Sequence, residues 1–166
     1  MNTTKDPMQS YLDRCRGLIA KHGHMVQFVG AAPFGYAYTV GLEPTLGCEL
    51  LIVGLTPDIA RVLLNGIAAR LKEGPVADGE PIEKIAMVPL KITTHAVADP
   101  AKGRDRAALV AVAGRLGYSP RHIRQVIWPD TQNRFPGDPG YNHAIEQDVD
   151  QLSLLDSTND TPGTRH

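Results

Sequence analysis

Gly35-Tyr-Ala-Tyr-Thr-Val-Gly-Leu42 combines aromatic and β-branched residues with glycines at both ends, which is the composition of a strand. After seven intervening residues Leu50-Leu-Ile-Val-Gly-Leu55 is apolar on both faces, so it reads as a central strand covered on each side. Upstream, His24 to Gly30 carries Met25, Phe28 and Val29 and should pair with 35–42 across Ala31-Ala-Pro-Phe34 as a hairpin. These strands are expected to form the heart of the core.

Helices frame them. Asp6-Pro7 supplies an N-cap and a first-turn proline, and Met8, Tyr11, Leu12, Cys15, Leu18 and Ile19 follow at helical spacing until Gly23. Thr56-Pro57 repeats the device before a stripe of Ile59, Val62, Leu63, Ile67 and Leu71, with Gly74 as terminator. Gly66 weakens that helix unless something approaches its backbone closely. Residues 75–81 read as a connection, and Ile82 to Thr94, interrupted by Pro89, as two short strands or one bent edge strand. A third helix, opened by Asp99-Pro100 and surest over Asp105 to Leu116, turns Ala107, Ala108, Val112 and Leu116 inward. His122 to Trp128 is the last strand, and Phe135 and Tyr141 should lay the loop after Asp130 over the sheet. The fold class is therefore α+β: a single domain over residues 1–145, its sheet mostly antiparallel or mixed and packed with about three helices. Residues 146–166, acidic and then rich in Ser, Thr, Asn, Asp and Gly, are expected to be a disordered tail.

Composition sets bounds on partners. Seventeen basic and eighteen acidic side chains give a net charge of -1, so no global basic field attracts nucleic acid and direct binding is not expected. The polar start and the lack of any long apolar run predict a cytoplasmic protein with neither signal peptide nor membrane span. Cys15 and Cys48 read as ordinary buried thiols. The six histidines have no metal-binding spacing on a helix, so no metal or cofactor is implied.

Phe34 to Leu42, Glu49-Leu-Leu-Ile-Val-Gly-Leu55, Trp128-Pro-Asp130 and Arg134-Phe-Pro136 occur in an order that resembles the bacterial family called domain of unknown function 4262, over roughly residues 16–141. The resemblance implies a fold and no particular reaction. Gly47-Cys48 stands where that family often has His-Pro, and Gly137 where it often has Trp, so no site built on that His or Trp carries over.

Two stretches carry candidate function. Trp128-Pro-Asp130 looks like the acid loop of tyrosine phosphatases, but the required Cys, five residues, Arg cradle is absent after both Cys15 and Cys48. Tyr36, Tyr38, Asp130 and Arg134 could orient a small polar ligand in an enzyme or binding domain, against the simpler expectation of a local Asp130–Arg134 bond and buried tyrosines. In the tail, Gln151-Leu152-Ser153-Leu154-Leu155 closely resembles the linear motif by which bacterial polymerases and repair proteins dock on the replicative sliding clamp. A strict match in a chain of this length arises by chance on the order of once in a thousand. The expected function is accordingly a clamp-binding protein that modulates or inhibits DNA replication, as a replication-blocking toxin of a toxin–antitoxin system would. The competing reading is a short helix with Val149, Leu152 and Leu155 docked on the domain, because their spacing is helical too.

Overall fold

The computed structural model describes residues 6–30, 35–95 and 104–142. The expected turn at 31–34, the Asp99-Pro100 helix start and the whole tail with its 151–155 motif lie outside the described residues. Among the described residues the elements in chain order are α1 (Pro7–His22), β1 (Met25–Val29), β2 (Tyr36–Val40), α2 (Glu43–Leu46), β3 (Glu49–Val53), α3 (Pro57–Glu73), β4 (Lys91–His95), α4 (Arg104–Arg115) and β5 (Ile123–Ile127). The architecture is α+β, as the alternation of element types predicts.

The sheet is mixed, in the order β1-β2-β3-β5-β4. β1 and β2 form the hairpin, with Met25 opposite Val40 and Val29 opposite Tyr36, and β2 continues antiparallel onto β3. The last strand does not add to an edge. β5 inserts between β3 and β4, parallel to β3 and antiparallel to β4. A parallel neighbour needs a long crossover, here supplied by everything between β3 and β5. β4 is left as an edge strand, preceded by the isolated Ile82–Leu90 bridge on either side of the 83–89 loop, which holds Pro89.

Helices cover both faces. Side chains along β3 alternate: Leu50 and Ile52 pack under α3 with Leu64, Ile67 and Ala68, while Leu51 and Val53 join Cys15 of α1 and Leu109 of α4 on the opposite face. The period of two in the strand thus feeds two separate apolar clusters, which is why β3 carries no polar residue after Glu49.

Local signals hold at most helix ends. Asp6 accepts a bond from the Met8 amide at 3.3 Å, and Gly23 closes α1 in the left-handed region at φ 86°. Thr56, by contrast, precedes α3 without any side-chain capping bond, so Pro57 alone carries the start signal there. A fourth helix, α2, was not expected. It is one turn held between Pro44 and the left-handed Gly47, too short to show a helical period.

The predicted inward faces of two helices are rotated. In α3 the buried residues are Ala60, Leu63, Leu64, Ile67, Ala68 and Leu71, whereas Ile59 is 49% and Val62 61% exposed. In α4, Leu109 and Ala113 are buried, and Ala108, Val112 and Leu116 only flank that cluster. Small Ala60 and Ala68 lie on the buried stripe of α3, in the cluster that packs on the sheet. Gly66 has the close approach its position suggested: a Cβ there would lie 2.6 Å from Cγ2 of Ile85, which sits over the helix.

Gly66→Ala is expected to be coupled to Ile85. Where Ile85 is also replaced by Ala, Gly66→Ala should stabilise by about 1 kcal/mol through helix propensity, and in the wild-type background most of that gain should vanish. Urea unfolding of the four members of this cycle measures the difference.

Candidate functional site

The Trp128-Pro-Asp130 segment leaves β5 and is fixed at once. Trp128 donates its indole N–H to the carbonyl of Val53 at 3.0 Å, tying the exit of β5 to that of its parallel neighbour. Asp130, with a fully buried side chain, accepts from the backbone amides of Gln132, Arg134 and Asn142 and from Nε of Arg134, at 2.9 to 3.1 Å. Burial alone would raise its pKa, but the amides of Arg134, Gln132 and Asn142 and the Arg134 guanidinium outweigh it and hold the carboxyl at about 2. Asn133 takes the left-handed conformation that Asn tolerates, and Gly140 (φ 80°) leaves the room that Arg134 occupies. The loop then lays Phe135 and Tyr141 down as buried cover, and Lys91 Nζ stands 4.4 Å from the centre of the Phe135 ring.

The structure thus brings Asp130 and Arg134 together in an ion pair. Tyr36 and Tyr38 stack on each other at 6.4 Å within the cluster beneath α1 and α4. Burial, with Tyr36 beside it, pushes the Tyr38 phenol up to about 12. Tyr38 is therefore a core member of that face with the partly buried Tyr36 packed against it, while Asp130 is occupied by its own loop.

A different carboxylate commands the opposite end of β3. Glu49 is completely buried, and its oxygens receive five hydrogen bonds. Thr39 Oγ1 and the Leu42 amide donate to Oε1 at 2.9 and 3.1 Å. The amides of Gly41 and Glu43 and the hydroxyl of Tyr118 donate to Oε2 at 3.2, 3.1 and 2.8 Å. Both hydroxyls are committed, because Thr39 Oγ1 accepts from Leu50 N and Tyr118 Oη accepts from Gly41 N. Burial pushes this carboxyl upward, and the bonds from Tyr118, Leu42, Thr39 and Glu43 oppose it. The three amides and two hydroxyls within reach favour the anion, against the burial that favours the neutral acid. Next to it Glu43 pairs through Oε1 with Nε of Arg121 at 2.7 Å, while its Oε2 is buried without a hydrogen-bond partner among the described residues. Cys48 is buried beside this cluster, and desolvation pushes its thiol up to about 11, which disfavours the thiolate.

Sequence reasoning did not single out Glu49, Glu43, Thr39, Tyr118 or Arg121. The available signal was an acidic residue opening an otherwise apolar strand; its donors come from positions as far apart as Thr39 and Tyr118. Among the described residues no group of three or more His, Cys, Asp or Glu side chains is placed to hold a metal ion, and no helix is long and apolar enough to cross a membrane.

Fold and interior together define a single α+β domain with a five-stranded mixed sheet, pinned at one end by a buried glutamate and at the other by an aspartate-centred loop. The chain belongs to the family described as Domain of unknown function (DUF4262), whose model matches residues 18–142. No curated protein and no solved structure matches it.

Glu49→Gln should destabilise the domain by about 3 kcal/mol, because the new amide N–H bonds would face amide hydrogens in a dry site. A fall in melting temperature of roughly 10 °C is expected, with Tyr118→Phe falling by less than half as much.

Asp130 predicts an acid signature. A folded-state pKa lowered from 3.8 to about 2 adds stability above the unfolded value, and that stability is lost as pH falls from 3.8 towards 2. Melting temperatures followed through this window should drop more steeply for the wild type than for Asp130→Asn, whose neutral-pH melting point starts lower.

Proposed function

We propose that this protein binds the bacterial replicative sliding clamp through Gln151, Leu152, Ser153, Leu154 and Leu155, and thereby modulates or inhibits DNA replication. The observation that carries the reading is the fit of all five residues to the clamp-docking motif, placed nine positions beyond Asn142, where the described domain closes on Asp130. A linear motif acts by extending into a groove on its partner, so a position beyond the closed domain suits it. Gln151 offers an amide donor and acceptor at the groove edge, and Leu154 and Leu155 fill its apolar floor. Occupying that groove excludes polymerase by competition, which needs no catalytic residue. This is the action of a replication-blocking toxin, and it places the protein in the cytoplasm with its target. A small ligand at Tyr36, Tyr38, Asp130 and Arg134 would have to displace the four bonds on Asp130, so the tail carries the stronger reading.

Burial of the leucine side chains yields roughly 3–5 kcal/mol before ordering costs, so a dissociation constant in the micromolar range is expected. Titration of purified sliding clamp, followed by calorimetry or fluorescence anisotropy, should show binding that Leu154→Ala with Leu155→Ala weakens at least tenfold and Gln151→Ala weakens less. Equal affinity for wild type and double variant, or no wild-type binding at tens of micromolar, would overturn the proposal.

A further inference from the structure

The outer side of α3 is apolar without a complete cover. Ile59, Val62, Gly66 and Ala69 follow one another on a single helical band, adjacent to the band that packs on the sheet. Ile85 closes this band at Gly66, with no room left for a Cβ beneath it. One turn towards the N-terminus Ile59 and Val62 remain 49% and 61% exposed. Two adjacent large aliphatic side chains in water each forgo a stabilisation that burial would supply.

The end of the described chain points to what covers them. β5 runs parallel to β3, and Trp128, just beyond β5, is bonded to Val53 at the end of β3, four residues before α3 begins. The amide of Asn142 is held on Asp130, two residues after that tryptophan. The chain therefore departs from the same end of the sheet at which the first turns of α3, with Ile59 and Val62, begin. Residues 143–148 span up to about 20 Å when extended, enough to bring the next segment onto that helix. That segment carries Val149, Leu152 and Leu155, three residues apart and so on one face if helical. Arg61 in the first turns of α3 is already paired with Asp58 at 2.9 Å, so the fit rests on apolar contact and reach and not on charge.

We propose that residues 149–155 of this same chain pack over Ile59 and Val62, so that Leu152 and Leu155 are covered in the free protein. Resting on the clamp reading, the contact is autoinhibitory: the motif binds its partner only in the fraction of molecules in which it has left α3, and apparent affinity falls by that fraction. The occupant is intramolecular, which distinguishes it from self-association through the same face.

Hydrogen exchange on the full-length chain tests this without any clamp present. Amides of residues 149–155 should exchange at least tenfold more slowly than in an unstructured chain, independently of protein concentration. In Ile59→Ser with Val62→Ser, two exposed positions that leave the core intact, they should exchange at the unstructured rate. Unprotected amides in the wild type, protection that survives both serine substitutions, or protection that grows with protein concentration would each overturn the contact. The same serine variant should bind purified sliding clamp about tenfold more tightly than the wild type, and equal affinity would overturn the autoinhibition. If neither binds clamp, the clamp reading falls, while the exchange result still decides the contact on its own.

Discussion

The domain depends on a buried carboxyl group that is satisfied by hydrogen bonds alone. Glu49 stands fully buried at the start of the central strand, where an isolated carboxylate would be prohibitively costly, and it is tolerated because three backbone amides and two hydroxyls converge on it. Each donor is a structural commitment. The amides of Gly41, Leu42 and Glu43 turn the chain out of β2 and into α2, Thr39 links the carboxylate to the β3 backbone, and Tyr118 reaches in from the segment between α4 and β5. One carboxylate thereby sets the path of the β2–β3 connection and anchors the segment that delivers β5 to its place beside β3.

At the far end of the sheet the same physics recurs on a smaller scale. Asp130 gathers three amides and a guanidinium, and the loop that results carries Phe135 and Tyr141 over the interior. Between these two polar knots lie apolar clusters on the two faces of the sheet, filled by alternating residues of β3. Among the described residues the two cysteines are buried, Glu49 and Asp130 are surrounded by donors, and the tyrosines of β2 stack on each other. Interest moves to the surface, to the uncovered end of α3 and to the chain beyond Asn142.

Much of this was readable from local pattern. Asp6-Pro7 and Gly23 bound α1 because caps depend on a few adjacent residues, and Tyr36 to Val40 and Glu49 to Val53 are strands because β-branched and aromatic residues suit a pleated surface whatever they pair with. The Asp130–Arg134 bond was also visible, being four residues apart in a loop. Ile59 and Val62 misled, because periodicity identifies an apolar stripe without saying which edge of it meets the sheet. α2 was invisible because one turn is shorter than the period by which helices are recognised.

By itself the sequence determined the element types, the α+β class, the hairpin, the apolar character of β3, the aspartate-centred loop and the clamp-like motif at 151–155, all properties of neighbouring residues. Only the tertiary structure decided that β5 enters between β3 and β4, that α3 turns Ala60 and Leu64 inward while leaving Val62 in water, and that Glu49 is the centre of a five-donor site. These depend on residues tens of positions apart meeting in space. Burial and hydrogen-bond saturation are properties of such meetings, and no window along the chain contains them.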